Sequence, residues 1–200
     1  MVIGLLAITA IPTVTGVGQA ISAQKKQNAV AKEQVKFHME AMMLDDASGR
    51  WKDVASVVLA DQKVLLDMPD DPAPGHPFCG WYFKYPGEEG YLGLVSSIAV
   101  DPPMLNWIYA DAGTGQLRHG GRKDTVGHVI GSWGWSRDET LLVLRGEDGY
   151  GSFVARRGDG DSDDTRWRVY WDPEGKVEGA RPVRLRRRMQ LGIDSSYVRN

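Results

Sequence analysis

The chain has a single cysteine, Cys79, among its 200 residues, so it forms no intrachain disulfide and no multi-cysteine zinc site. Secreted proteins of this size usually carry disulfides, and a lone thiol tilts the compartment toward the reducing interior. There is no N-x-[ST] acceptor, so glycosylation lends no support to secretion. An excess of positive charge is also missing: 24 Lys and Arg against 26 Asp and Glu leave a formal net charge of −2. No global field therefore draws the chain onto nucleic acid, and a nucleic-acid partner is not expected. Phosphate-cradling motifs are lacking, because Gly113-Thr114-Gly115 has no third glycine and no Walker lysine occurs. Nor is there a G-x-S-x-G nucleophile elbow. The histidines His38, His76, His119 and His128 show no metal-ligand spacing. His76-Pro77-Phe78-Cys79 gives an H-x-x-C pair, but two further ligands would be needed. The expectation is no metal and no cofactor.

Charge is absent altogether from Met1 to Gln24. As a signal peptide, this stretch offers Val2–Ile11 as an apolar core and Gly18-Gln19-Ala20 as a cleavage site, without a basic leader. As a membrane anchor it is barely long enough, and Pro12, Thr13, Thr15, Gly16, Gly18 and Gln19 dilute it. The third reading is a retained structural segment over residues 1–22. An intracellular protein, with membrane contact through that segment as an open option, is set above a secreted one. Residues 23–48 then read as a helix. Ala23, Gln27, Val30, Gln34, Phe37, Ala41 and Leu44 fall at alternating four- and three-residue spacings, and Asp45–Gly49 ends the run.

From residue 49 to 200 the hydrophobic period shortens to that of strands. Val54–Leu59 and Lys63–Met68 flank Ala60-Asp61-Gln62 as a hairpin, and the prolines of Met68–Gly75 dictate a loop. Phe78–Tyr85 and Tyr91–Ile98 are further strands. Asp101-Pro102-Pro103 forces a turn before Leu105–Asp111, and Gln116–His119 follows Ala112–Gly115. Leu141–Leu144 is apolar throughout, as for a strand covered on both faces. Trp167, Val169 and Trp171 point one way and Arg166, Arg168 and Tyr170 the other. Val183, Leu185, Met189 and Leu191 share a face with Arg187 as the misfit, opposite Arg184, Arg186 and Arg188. Eight to ten short strands at this spacing predict a mainly β fold, a small antiparallel barrel or sandwich.

Asp101-Pro-Pro-Met-Leu-Asn-Trp-Ile-Tyr-Ala-Asp111, Gly131-Ser-Trp-Gly-Trp-Ser136 and Ala10-Ile-Pro-Thr-Val-Thr-Gly16 are distinctive. The chain resembles a group of uncharacterised filamentous-ascomycete proteins carrying "DPPxLNWIYVD" and "GPWxWT", with Ala110, Ser132 and Ser136 as departures. That resemblance implies a retained apolar N-terminus, a Lys-rich helix and a β-domain. It implies no activity and transfers no catalytic residue.

Candidate chemistry rests on aromatic and basic clusters. Trp107 and Tyr109 share a strand face, as do Trp133 and Trp135. Exposed, such rings make a platform for a sugar or a peptide. Both faces of the Trp107 strand are apolar, which assigns that ring to the core. The glycines around Trp133 and Trp135 suit a loop carrying rings to a ligand as well as they suit packing. His128, in a short β-run, joins the ligand-binding candidates but reads first as structural. Arg184, Arg186 and Arg188 could grip an anion, with Arg166 and Arg168 extending the stripe. The competing reading is a charged sheet edge that resists aggregation. Cys79 with a nearby histidine could form a nucleophile pair, but a lone cysteine in an aromatic strand is usually a buried hydrophobe. Asp159–Asp164 begins like a calcium loop and then lacks the required Gly and Glu, so it reads as a solvated acidic loop.

Three functions follow. The first is a non-catalytic β-domain binding a protein or small-molecule partner. The second is a small β-barrel enzyme of isomerase or cyclase type, whose pocket leaves no motif. The third is a secreted carbohydrate-binding module.

Overall fold

A computed structural model describes residues 35–87, 90–145, 152–158 and 165–189. Thirteen strands are present among them: β1 (Phe37–Asp45), β2 (Arg50–Ala60), β3 (Lys63–Asp67), β4 (His76–Pro77), β5 (Gly80–Lys84), β6 (Leu92–Val100), β7 (Pro103–Ala110), β8 (Leu117–Gly120), β9 (Trp133–Trp135), β10 (Leu142–Leu144), β11 (Phe153–Arg157), β12 (Trp167–Trp171) and β13 (Arg181–Met189). A short 3-10 turn covers Arg122–Thr125. Among the described residues no helix is long and apolar enough to cross a membrane.

Nine of these strands close on themselves by antiparallel pairing. The circuit runs β1–β5–β6–β7–β8–β3–β12–β11–β13 and back to β1. β2 pairs with both β1 and β3, β4 borders β2, and β9 and β10 form a separate hairpin. The sequence reading left barrel and sandwich open; strand pairing closes the barrel.

The helix expected over residues 23–48 is corrected at its C-terminal end, and Ala23–Gln34 lies outside the described residues. Phe37–Asp45 is strand β1, so the β-domain starts before residue 49. Phe37, Met39, Ala41 and Met43 are buried, while His38, Glu40, Met42 and Leu44 are half-buried. That period of two is a strand's. The helical spacing arose from positions shared by both periods, and Ala, Met, Leu and Glu are good helix formers. Pairing on one side with β13 and on the other with β2 overrides that propensity.

Inward side chains from every strand of the circuit meet in one core. Phe37, Tyr82, Leu94, Ile108, Leu117, Phe153, Val169 and Leu185 all belong to it, with Val64 and Leu66 from β3. The β9–β10 hairpin adds Trp133, Leu142 and Leu144 to the same cluster. It is tied down by the Tyr82 hydroxyl, which donates to the Gly134 carbonyl at 2.7 Å, and by the Arg187 amide, which donates to the Thr140 carbonyl at 2.8 Å. Burial raises the Tyr82 phenol well above its ordinary range, so it stays a donor.

Phe37 is 1% exposed and its ring meets Phe78, Tyr82 and Trp135 at centroid distances of 5.6, 6.0 and 4.8 Å. Replacing it by alanine removes those contacts from the first strand of the barrel. Phe37→Ala is expected to cost about 3–5 kcal/mol, read from the shift in a urea unfolding midpoint at constant slope.

Candidate binding face

β5, β6 and β7 alternate cleanly between the two faces of the barrel wall. Inward go Tyr82 from β5, Leu94 and Ser96 from β6, and Ile108 and Ala110 from β7. Outward go Trp81 and Phe83, then Gly93 and Val95, then Leu105, Trp107 and Tyr109. The distinctive Leu105–Ala110 segment is therefore a strand whose odd positions face outward and whose even positions face inward.

Gly93 explains how the outer rings fit together. A Cβ at this position would lie 2.5 Å from Cζ3 of Trp107 and 3.2 Å from the Phe83 carbonyl oxygen. The Trp107 indole thus lies across the glycine, filling the space a side chain would take. Its ring meets Tyr85 edge-on at 4.9 Å and Phe83 at 6.2 Å, and Tyr85 stacks on Tyr91 at 5.9 Å. The Tyr85 hydroxyl is 2.8 Å from Thr125 Oγ1, and Arg122 Nη2 donates to the Pro86 carbonyl at 2.8 Å. The 3-10 segment is thereby held against one side of the cluster. On the other side Phe83 and Leu105 stay 49% and 51% exposed.

The sequence reading placed Trp107 in the core and left Trp133 and Trp135 open between packing and a ligand platform. Trp107, expected in the core, lies on the outer face. Trp133 is 2% exposed and stacks parallel to Phe153 at 6.3 Å, so it offers no platform. Trp135 packs against Phe37 and Tyr82, with the Arg187 guanidinium 4.5 Å from its ring centroid. Arg187, the misfit of its strand face, is thereby accommodated by a cation–π contact.

Tyr109 is 2% exposed beneath His128, whose ring stacks on it at 5.1 Å. Burial raises the Tyr109 phenol above its ordinary value. The Ala112 amide donates to His128 Nδ1 at 3.1 Å, which places the ring proton on Nε2. His128 therefore serves as a lid on Tyr109. On the inner face Asn106 Nδ2 lies 2.9 Å from His119 Nδ1, next to a strand carrying buried Ser96, and desolvation lowers the His119 pKa.

The arginine stripe is neutralised from across the sheet. Arg186 Nη2 donates to Glu40 Oε2 at 2.6 Å and to Asp53 Oδ2 at 2.8 Å, and Arg188 Nη1 reaches Glu40 Oε1 at 2.7 Å. Arg184 lies 4.1 Å over the Trp51 ring. The edge reading is corrected as well, since β13 pairs with β1 on one side and β11 on the other. These arginines brace the wall of the barrel. Asp159–Asp164 lies outside the described residues. Among the described residues, no three His, Cys, Asp or Glu side chains group as metal ligands.

Sequence reasoning missed Phe83, Tyr85 and Tyr91. Their signal was present: Trp81, Phe83 and Tyr85 are spaced by two, and Gly93 interrupts the apolar run Leu92–Val95.

Two predictions follow from these contacts. Gly93→Ala should push the indole off the sheet, costing about 1–3 kcal/mol and moving the Trp107 Nε1–H resonance in a 1H–15N spectrum while other indoles stay put. The second concerns Glu40, held below the ordinary carboxylate range first by its hydrogen bond from Arg186, against an opposing desolvation. A folded pKa below the unfolded one stabilises above the ordinary glutamate value and loses that stabilisation as pH falls through the lowered one. Wild type should therefore exceed Glu40→Gln in urea midpoint at neutral pH, and the gap should close with acidification below the ordinary glutamate range.

Residues 16–191 match the sequence profile of the family described as fungal beta-trefoil domain. Neither the curated proteins nor the solved structures contain a match to the chain.

Proposed function

We propose a binding role for this chain, which belongs to the fungal beta-trefoil domain family. The fold is one often used to bind carbohydrate or protein, and the family is a fungal one. The recognition surface is the outer face of β5, β6 and β7, and the partner is a protein. One observation carries this reading. Phe83 and Leu105, each about half exposed, border a Trp107–Tyr85–Tyr91 cluster that does not belong to the core.

Burying those side chains would contribute about 25 cal/mol for each Å² of apolar surface removed from water. The rings stand on paired strands and are held by Gly93 and by the Tyr85–Thr125 contact, so little ordering is required on association. The aliphatic neighbour Leu105 separates a protein partner from a sugar. A sugar stacks on ring faces, whereas Leu105 complements apolar side chains. The core filled from every strand of the barrel favours binding over the alternative of an enzyme with an interior pocket.

The test is Phe83→Ser/Leu105→Ser, two exposed positions whose exchange leaves the core intact. Photo-crosslinking from position 91 in cells of the native host, followed by mass spectrometry, should identify a protein partner with wild type and lose it with the double variant. An equally stable double variant that retains every crosslinked protein would sink the proposal. Binding to a glycan array that the double variant abolishes would reassign the face to carbohydrate.

A further inference from the structure

On a different part of the wall, one side of β2 has no strand beside it along residues 50–55. Ser56 pairs with Glu40 of β1 and with Asp67 of β3, so those two neighbours lie on opposite sides of β2. β1 continues along residues 50–55, whereas β3 accompanies only residues 56–60. Beyond Asp67 the chain turns on itself. The Asp71 amide donates to the Met68 carbonyl at 3.2 Å, and Pro69 and Pro72 have no amide proton to offer β2. Among the described residues, no strand takes the place that β3 vacates. We infer that a basic, extended segment of a partner protein docks there, adding a strand to residues 50–55.

Strand residues turn their amides and carbonyls alternately to the two sides, so part of this stretch presents backbone donors and acceptors to the vacant place. An incoming strand satisfies those groups, and pockets beside it sort its side chains. Two cavities lie along this side, ≈ 510 and ≈ 430 Å³ in volume. Asp53, Val54, Met68 and Pro69 line both, which joins them into one groove between β2 and the turn at residues 68–72. Val54 is the extra residue of a bulge, because Ala41 pairs with Ala55 and Met42 with Asp53. Its side chain, like those of Met68 and Trp167, is partly buried against the core. These three give the groove an apolar flank on which apolar side chains of the segment can rest.

Charge selects the occupant. Five carboxylates line the groove against two cations, Lys52 and Arg181. Three of the five already have partners: Arg186 and Arg188 hold Glu40, Arg186 also reaches Asp53, and Lys52 pairs with Asp45. Arg181 is engaged by Asp46. The other two, Asp67 and Asp70, have no ion-pair partner among the described residues, and Asp67 accepts only the Ala73 amide, at 3.0 Å. Both stand where β3 ends, beside the vacant place. Lysine or arginine side chains on the added strand meet them there, whereas an acidic segment would set like charge against them.

A fluorescein-labelled octapeptide of alternating lysine and valine tests this on the full chain at low ionic strength. It is expected to bind with a submillimolar Kd by fluorescence anisotropy and to slow amide exchange within residues 50–55. A glutamate–valine octapeptide should not bind. Methylating the backbone nitrogens of either all the lysines or all the valines blocks one edge of the peptide at a time. One of these two forms should bind at least roughly tenfold more weakly, because only one edge joins the ladder. Asp67→Asn/Asp70→Asn, which keeps an acceptor for the Ala73 amide, should weaken binding several-fold. Phe83→Ser/Leu105→Ser, on the β5–β7 face, should leave it unchanged. The inference is overturned if the lysine peptide fails to bind folded wild type at millimolar concentration, or if both methylated forms bind as tightly as their parent. Slowed exchange confined to other strands would overturn it too. So would a peptide-free chain that sediments as a dimer with residues 50–55 already protected, which would assign the groove to a second copy.

Discussion

Everything in this domain depends on the closure of the barrel at β1. That strand pairs with β13, joining Phe37 to Met189, and it also pairs with β2 and touches β5. Contacts between residues so far apart in the chain carry a large loop-closure entropy, which only the shared core can offset. Once the circuit closes, every strand acquires an inside and an outside. The inside is filled by side chains from all nine strands and from the β9–β10 hairpin. The outside is where chemistry can differ from one part of the wall to another.

Three such regions emerge. On β5–β7 the outer wall is aromatic, with a glycine that admits an indole lying flat. Between β1 and β13 it is a cross-strand ion network, in which Glu40 holds two arginines. On β11–β12 two arginines, Arg156 and Arg168, stand directly opposite each other. The same alternation of strand residues generates all three. What separates them is which residues the neighbouring strand places beside the outward positions.

Much of the fold was legible from the chain. The hairpin at Asp61-Gln62, the turn at Asp101-Pro102, and the alternation of Val183 and Leu185 against Arg184 and Arg186 are all present. These are local signals, set by turn chemistry and by the period of two. The helix reading over Phe37–Leu44 failed because its residues suit both periods, and only pairing with β13 and β2 selects between them. The binding face was legible only in part. Trp107 and Tyr109 drew notice from their spacing, but a strand that is apolar on both faces does not reveal which face meets the core. The glycines around Trp133 and Trp135 suited a loop-borne platform and packing equally, and their hairpin joins the core cluster.

By itself, then, the sequence determined the strand-forming segments, the turns between them and which residues share a face, since these follow from backbone sterics and a fixed side-chain period. It also excluded an intrachain disulfide, through its single cysteine. Tertiary structure alone decided which face is inside, that β13 is flanked by partners instead of forming an edge, and that Glu40 neutralises the arginine stripe. It likewise decided that Arg156 and Arg168 stand opposite each other while Trp107 settles over Gly93. Each of those outcomes depends on register between strands distant in the chain, and register is fixed only when the barrel closes and its core packs.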